Sequence, residues 1–379
     1  MRILHTSDWH LGRQFHHLSL LEDQRHILEQ LVNIAAEQKV DVILIAGDIY
    51  DRAIPPAAAV KLLDDVLKRL NHDLGIPIII ISGNHDSGQR LAFGAQQLAK
   101  AGIHMCGVLD KTPEPIILND AYGEVAFYGL PYADPAMVRD VLEVEVHSFD
   151  QATEVLCQQI LKHNSLQRRS VVLSHCFLDG GEISESERPL SVGGADQVAA
   201  NHFNDFNYVA LGHLHAPQYR LKPSIRYSGS LLKYSFSEEK QQKSVTLVDM
   251  DGVGECKVEQ IPLIAKRDMR ILEGHLDEIL ENAQHDPNNE DYLLIRLLDK
   301  HAILDVMGKL RQAYPNVLHI ERPSLMQGGE RQQSSREHLT RGEMPLFKDF
   351  YQQMTGDEMD AESAELVAKL IDTIHQEDV

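Results

Sequence analysis

VDVILIAGDIYD, residues 40–51, is a run of branched apolar residues that stops at a Gly-Asp pair. Its composition suits a β-strand covered on both faces, and its polar end suits the point where such a strand leaves the sheet. Two other stretches repeat the arrangement, RILHTSDWH at 2–10 and IPIIIISGNHDS at 76–87. Between them, residues 22–38 and 57–72 have helical apolar spacing: Ile27, Leu28, Leu31 and Ile34 in one, Val60, Leu63, Val66, Leu67 and Leu70 in the other. The chain therefore begins βαβαβ, and in open α/β sheets the ligand site lies beyond the carboxyl ends of the strands. All three polar clusters fall at that end.

Further strands are predicted over 124–132, 169–177, 206–215, 224–232 and 244–252, with a long helix over 149–163. The stretch LDGGEISESERPLSVGGADQV, 178–198, is rich in Gly, Ser and Glu and reads as a functional loop over the site or a lid. A linker near 261–268 ends a first domain, 1–262, and a compact alternation of strand and helix follows over 266–326. Residues 327–343 are almost without apolar side chains and read as a tether, and two amphipathic helices occupy 344–379.

The 379 residues carry 36 Lys and Arg against 57 Asp and Glu, a formal net charge of −21, which opposes non-specific attraction to nucleic acid. A phosphate-bearing ligand needs local positive charge, which bound divalent ions can supply. Cys106, Cys157, Cys176 and Cys256 are scattered without CxxC spacing, against both a disulfide framework and a thiolate metal site. No apolar run approaches a membrane span, and the N-terminus turns polar too early for a secretory signal, so the expected location is cytoplasmic.

Collected along the chain, the strand-end groups are Asp8, His10, Asp48, Asn84, His85, His175, His213 and His215. Oxygen and imidazole donors without thiolate suit Mn²⁺, Fe²⁺ or Zn²⁺, and their number exceeds what one ion with an open position uses. Two ions sharing a carboxylate fit the count. On the expectation of extended backbone, Asp8 with His10 and His213 with His215 each point two donors to one side. Glycines at 12, 47, 83 and 212 flank the clusters where chain segments must approach closely.

The ordered motifs DWH, GDIYD, GNHD, SH and GHLH resemble those of the calcineurin-like metallophosphoesterase superfamily, and HTSDWHLG, GNHDS, ERPLSVGG, YVALGHLH and YSGS resemble its SbcD nuclease family. The resemblance implies a four-layer α/β fold: a β-sandwich flanked by helices, with a small α/β cap domain and C-terminal helices. It implies two ions, most simply Mn²⁺, one held by Asp8, His10, Asp48 and His215 and the other by Asp48, Asn84, His175 and His213. His85 would serve as general acid. Asp51 and Asp86 would accept hydrogen bonds from ligand histidines, although some relatives carry a histidine at the position of Asp51, and Arg13 and His17 would touch substrate phosphate.

The activity so implied is exonuclease and endonuclease cleavage of DNA, with the small domain positioning the polymer. The alternative is a metallophosphatase or cyclic-nucleotide phosphodiesterase using the same site, but protein phosphatases of the superfamily read GDxVDRG and RGNHE where this chain has GDIYDRA and SGNHD. A non-catalytic scaffold would not need His85. Implied partners are an SbcC-like ATPase, met by the C-terminal helices, and a second copy of the chain, met through 59–70 and 91–102. One tail stripe is Leu346, Phe347, Phe350, Tyr351 and Met354, and the other is Leu366, Val367, Leu370, Ile371 and Ile374.

Overall fold

The structure is a computed structural model. It describes residues 1–323 except 113, 165, 191–195, 300 and 302, and then 344–345, 347–348, 351–352 and 359–377. The chain divides into two compact units, Met1–Lys266 and Arg267–Val379.

The first unit is built on two six-stranded sheets. In chain order its strands are β1 Arg2–Thr6, β2 Val42–Ala46, β3 Ile78–Ile81, β4 Ile103–Cys106, β5 Ile116–Asp120, β6 Gly123–Leu130, β7 Arg169–His175, β8 Tyr208–Gly212, β9 Gln218–Tyr219, β10 Ile225–Tyr227, β11 Ser244–Met250 and β12 Cys256–Pro262. One sheet runs β12-β11-β1-β2-β3-β4 and the other β9-β10-β8-β7-β6-β5. Within each, four neighbouring strands are parallel and antiparallel strands finish the edges.

Strand alternation then sorts the apolar side chains. Ile3, Val42, Leu44, Ile79 and Ile81 from one sheet meet Val125, Phe127, Val171, Leu173 and Ala210 from the other in a single inter-sheet core. The intervening residues face outward and are equally buried. Leu4, Ile43, Ile45 and Ile80 belong to the face where helices α1 Leu21–Glu37 and α2 Ala57–Leu67 bury their apolar stripes. On the far side Ala126, Tyr128, Val172 and Val209 pack with Phe149, Leu156 and Ile160 of helix α3 Phe149–His163. This is the four-layer sandwich expected. Each fully buried branched residue contributes about 1.5–3 kcal/mol, which explains the unbroken Ile and Val runs of strands covered on both faces.

Two expectations about α2 and its surroundings change. Leu63, Val66, Leu67 and Leu70 are buried, but Val60, assigned to the same stripe, is exposed. The second stretch considered for pairing, 91–102, is broken into the short helices Gly88–Leu91 and Ala95–Ala99, because Gly94 between them adopts φ 75°.

The second unit holds parallel strands β13 Met269–Gly274, β14 Tyr292–Leu297 and β15 Val317–Glu321, with helices α4 Leu276–Ala283 and α5 Val306–Ala313. Leu276, Ile279, Leu293, Ile295, Leu310 and Val317 form its core. A further helix, α6, spans Ala361–Glu377. The expected tether lies outside the described residues, as do 346, 350 and 354 of the first tail stripe.

Candidate metal centre

The carboxyl ends of β1, β2, β7 and β8 converge on one place, and the backbone turns sharply there. β1 ends at Thr6, and Asp8, His10 and Asp48 sit beyond their strands at φ 52°, 44° and 48°, with His213 at 106°. The expectation that an extended strand aligns Asp8 with His10 and His213 with His215 is therefore corrected. Left-handed turns, not strand alternation, bring these side chains together. Such conformations cost an L-residue roughly 1–2 kcal/mol, least for Asp, Asn and His, so neighbours must hold them. Hydrogen bonds from Asp8 N to Gly47 O (3.1 Å), His10 N to Asp48 O (2.9 Å) and Leu11 N to Ile49 O (2.9 Å) zip the first two loops together. Trp9, fully buried, donates from Nε1 to Thr6 Oγ1 at 3.0 Å, while Gln24 and Tyr234 donate to its carbonyl.

Glycine is required where these loops touch. A Cβ on Gly83 would lie 2.1 Å from Asp48 Oδ1, and one on Gly47, which also has φ 90°, would lie 2.3 Å from His175 Nδ1.

The side chains form three overlapping groups, one of them His10, Asp51 and His85. Asp8, His10 and His215 offer donor atoms within 4.8 Å of one another, as do Asp8, Asp48 and His175. His10 Nε2 faces His215 Nε2 at 3.1 Å. Two donors on adjacent positions of one ion, each at about 2.1 Å, would stand about this far apart. Asp48 Oδ2 lies 3.6 Å from His10 Nε2 and 3.5 Å from His175 Nε2, between the two groups that contain Asp8. Asn84 Oδ1 is 2.9 Å from His175 Nε2 and 3.4 Å from His213 Nδ1. Asp8, His10, Asp48, His175, His213 and His215 are all buried, whereas Asn84 and His85 are half-buried.

Electrostatics favour a cation here. Burial, reinforced by Asp48, pushes the Asp8 carboxyl up to about 6. Burial also opposes ionisation of Asp48, yet neighbouring His175 and His10 outweigh it and hold that carboxyl well below the usual range. His175, despite burial, is raised to about 9 by Asp48. Burial keeps His10 well below its ordinary value and holds His213 at about 3, so both are neutral imidazoles, the form that binds a metal. His10 Nδ1 is buried without a hydrogen-bond partner. The residues therefore fit a pair of divalent ions in donor type, spacing and charge.

A family model described as calcineurin-like phosphoesterase matches residues 1–217, and one described as type 5 capsule protein repressor C-terminal domain matches 265–355. The D component of nuclease SbcCD from Staphylococcus epidermidis is 32% identical over 375 residues, 99% of this chain and 99% of that one. The chain belongs to the SbcD family of calcineurin-like phosphoesterases. Membership makes it a metal-dependent phosphodiesterase of the nuclease class. Among solved structures, a Thermus thermophilus protein shares 14% identity at TM-score 0.39 over 68% of this chain and 98% of its own. A dimetal phosphatase from Danio rerio shares 12% at TM-score 0.40 over 70% and 99%.

Two carboxylates expected to accept from ligand histidines, Asp86 and Asp51, are bonded otherwise. Asp86 does not accept from a histidine. Its carboxylate takes the backbone N–H groups of Ile49 (3.0 Å), Tyr50 (2.9 Å) and Gly83 (2.9 Å), tying the second loop to the third, because that turn leaves three amides pointing inward. Asp51 Oδ1 is 3.8 Å from His10 Nδ1, beyond hydrogen-bond length, and instead accepts from Arg13 Nη1 at 3.2 Å. Arg13 is thereby engaged within the protein, also reaching Ser186 O at 3.4 Å and lying 5.0 Å over the Tyr234 ring. His17 is exposed in a tight turn at φ 68°, and no described contact joins it to the cluster.

Other residues were not singled out from sequence. Ser186 Oγ lies 2.6 Å from His215 Nδ1 and donates to Glu238, Glu187 accepts the His215 backbone N–H at 2.7 Å, and Lys243 pairs with Glu238 at 2.6 Å. Ser186 and Glu187 share one loop, while Glu238 and Lys243 come from two other segments. The sequence signals were the Ser- and Glu-rich loop, which contains the first two, and the ERPLSVGG motif, which Glu187 opens.

Proposed function

We propose that the chain is the nuclease subunit of an SbcCD-like complex and cleaves DNA phosphodiesters as exonuclease and endonuclease in end processing, repair and recombination. Asp8, His10, Asp48 and His215 hold one ion; Asp48, Asn84, His175 and His213 hold the other. The position of Asp48 Oδ2, 3.6 Å from one set's His10 and 3.5 Å from the other set's His175, carries this reading. Manganese suits the all-oxygen-and-imidazole donor set. When bound, two such ions neutralise phosphate charge, activate water and stabilise attacking and leaving oxygens.

His85 completes the chemistry. Its Nδ1 donates to the Asp51 carbonyl at 2.8 Å, which leaves Nε2 as the nitrogen that delivers a proton to the leaving oxygen. Its backbone N–H donates to Asp48 Oδ1 at 2.8 Å, so the carboxylate that would be shared by the two ions also sets the place of the acid. With a chain charge of −21, divalent ions held by these residues would supply local attraction for DNA phosphate.

Residues 1–262 are the nuclease domain, 266–326 the cap that positions DNA, 327–343 a tether, and 344–379 the segment that docks on an SbcC-like ATPase. Leu366 and Leu370 of α6 are 63% and 55% exposed, an apolar stripe open to a partner. Pairing of two copies completes the assembly, and its place is the cytoplasm. No described helix is long and apolar enough to cross a membrane.

The test is a cleavage assay with Mn²⁺, Mg²⁺ or Zn²⁺ on linear duplex, single-stranded DNA and a small phosphodiester, with chelator controls. Chelator-sensitive cleavage of DNA is the expected outcome. Hydrolysis of the small ester with no action on DNA would contradict the nuclease reading.

A further inference from the structure

The outer nitrogens of the clustered histidines are treated unequally. His175 Nδ1 ends on a backbone carbonyl, Ala46 O, at 2.9 Å, and His10 Nδ1 has no hydrogen bond, with Asp51 Oδ1 3.8 Å away. His215 Nδ1 begins a chain of buried side chains. It lies 2.6 Å from Ser186 Oγ, Ser186 Oγ in turn bonds Glu238 Oε1, and Glu238 Oε2 receives Lys243 Nζ at 2.6 Å. Glu238 is fully buried, Lys243 is 5% exposed and Ser186 8%. None of the three belongs to the five motifs.

The direction of the protons follows from what each group can do. Lys243 donates only, and it also reaches His215 O at 2.9 Å and Ser230 Oγ at 2.9 Å. The ionised Glu238 accepts only, so the bond between Ser186 and Glu238 uses the hydroxyl proton of Ser186. What remains on Ser186 Oγ toward His215 is a lone pair, which requires the proton of the ring to sit on Nδ1. Nε2 is then bare, and it is the nitrogen that faces His10 Nε2 at 3.1 Å. Glu187 Oε1 fixes the same residue from its backbone side at 2.7 Å. Both the ring's tautomer and its place are determined from outside the five metal-site motifs.

We propose that Ser186, Glu238 and Lys243 form a positioning relay that holds His215 in the Nδ1–H tautomer and thereby sets the affinity of the site shared by Asp8, His10 and His215. The relay rests on the two-ion reading above. Partners of this kind usually change metal affinity 10- to 100-fold when removed. Lys243 has a separate part. It keeps the buried carboxylate paired, because an isolated buried charge would be strongly unfavourable.

Ser186→Ala tests this with both charges left in place. Manganese binding, followed by the electron paramagnetic resonance of free Mn²⁺ and by titration calorimetry, should show two ions in the wild-type chain. In Ser186→Ala one of the two should bind about 10- to 100-fold more weakly while the other keeps its affinity. The ion-free variant should melt within a few degrees of wild type. The paired replacement Glu238→Gln with Lys243→Met removes both charges together, so it does not strand either. It should weaken the same ion and, added to Ser186→Ala, cause little further loss, since all three act through one nitrogen. Unchanged affinity for both ions in Ser186→Ala would overturn the relay, as would an equal loss at both sites accompanied by a lower melting temperature of the ion-free chain. A wild-type chain that takes up fewer than two ions would overturn the two-ion reading, and the relay with it.

Discussion

Both units of the chain set parallel strands against helices, yet all three groups of potential ligands found among the described residues belong to the first. In the second unit the charged side chains near the sheet are held in ion pairs, Arg270 with Asp286 at 2.8 Å and with the buried Asp291 at 2.6 Å, and the partly exposed Arg296 with Glu321 at 2.7 Å. In the first unit the ends of two sheets meet, and residues with positive φ turn carboxylates and imidazoles inward instead of out to water. A strand end is thus not sufficient for a site. What makes one is a second sheet to close over it and loops held in conformations that the surrounding hydrogen bonds enforce.

The comparison breaks most severely at Asp48. Asp48→Ala should abolish cleavage and lower the metal content of both positions, because its carboxylate stands between the two groups of donors. Full cleavage with two ions retained would show that the convergence is incidental. His85→Gln should leave two ions and DNA binding in place while the cleavage rate falls by about 10² or more. Loss of an ion from that variant would move His85 from proton donor to ligand.

A third effect concerns stability. Burial holds His5, between the sheets and hydrogen-bonded to Tyr208 Oη at 2.9 Å and Leu211 O at 3.2 Å, down to about 3. Below its unfolded value near 6.5 the unfolded chain takes up a proton that the folded chain does not, so this group's contribution is lost as pH falls. Urea unfolding followed by Trp9 fluorescence should therefore lose stability more steeply below pH 6 in wild type than in His5→Gln, by about 1.4 kcal/mol per pH unit. Equal slopes would mean that His5 is protonated in the folded state.

The smallest effect on cleavage is expected from the tail. Deleting 344–379 should leave manganese-dependent cleavage of single-stranded DNA by the isolated chain largely intact while removing stable association with an SbcC-like ATPase. Residues 328–379 hold 5 Lys and Arg and 12 Asp and Glu, a balance of 5 − 12 = −7, which suits steering by basic groups on that partner. Undiminished co-purification of the truncated chain would exclude the role.

How far the sequence carried this picture differs between its parts. The apolar runs ending in polar clusters gave β1, β2 and β3 and the side of the sheet that bears the site, because burial on both faces leaves a continuous Ile and Val signal. Helix α3 was readable to the residue, helped by a Ser148 cap that accepts from Gln151 N at 3.1 Å. The left-handed turns at Asp8, His10 and Asp48 were not readable, since an alternating donor pattern looks the same in a strand and in a loop. The family resemblance implied that Asp86 accepts from a ligand histidine, but its bonds go to amides brought near only by folding. Ser186, Glu238 and Lys243 carried no signal of their own, because their role arises from a meeting of three elements.

The central claim is that two ions share Asp48 at the meeting of the two sheets. Anomalous diffraction from crystals of the full chain soaked in Mn²⁺ tests it most directly. The account predicts two peaks, one against Asp8, His10 and His215, the other against Asn84, His175 and His213, with Asp48 touching both. A single peak, or two that Asp48 does not join, would contradict it.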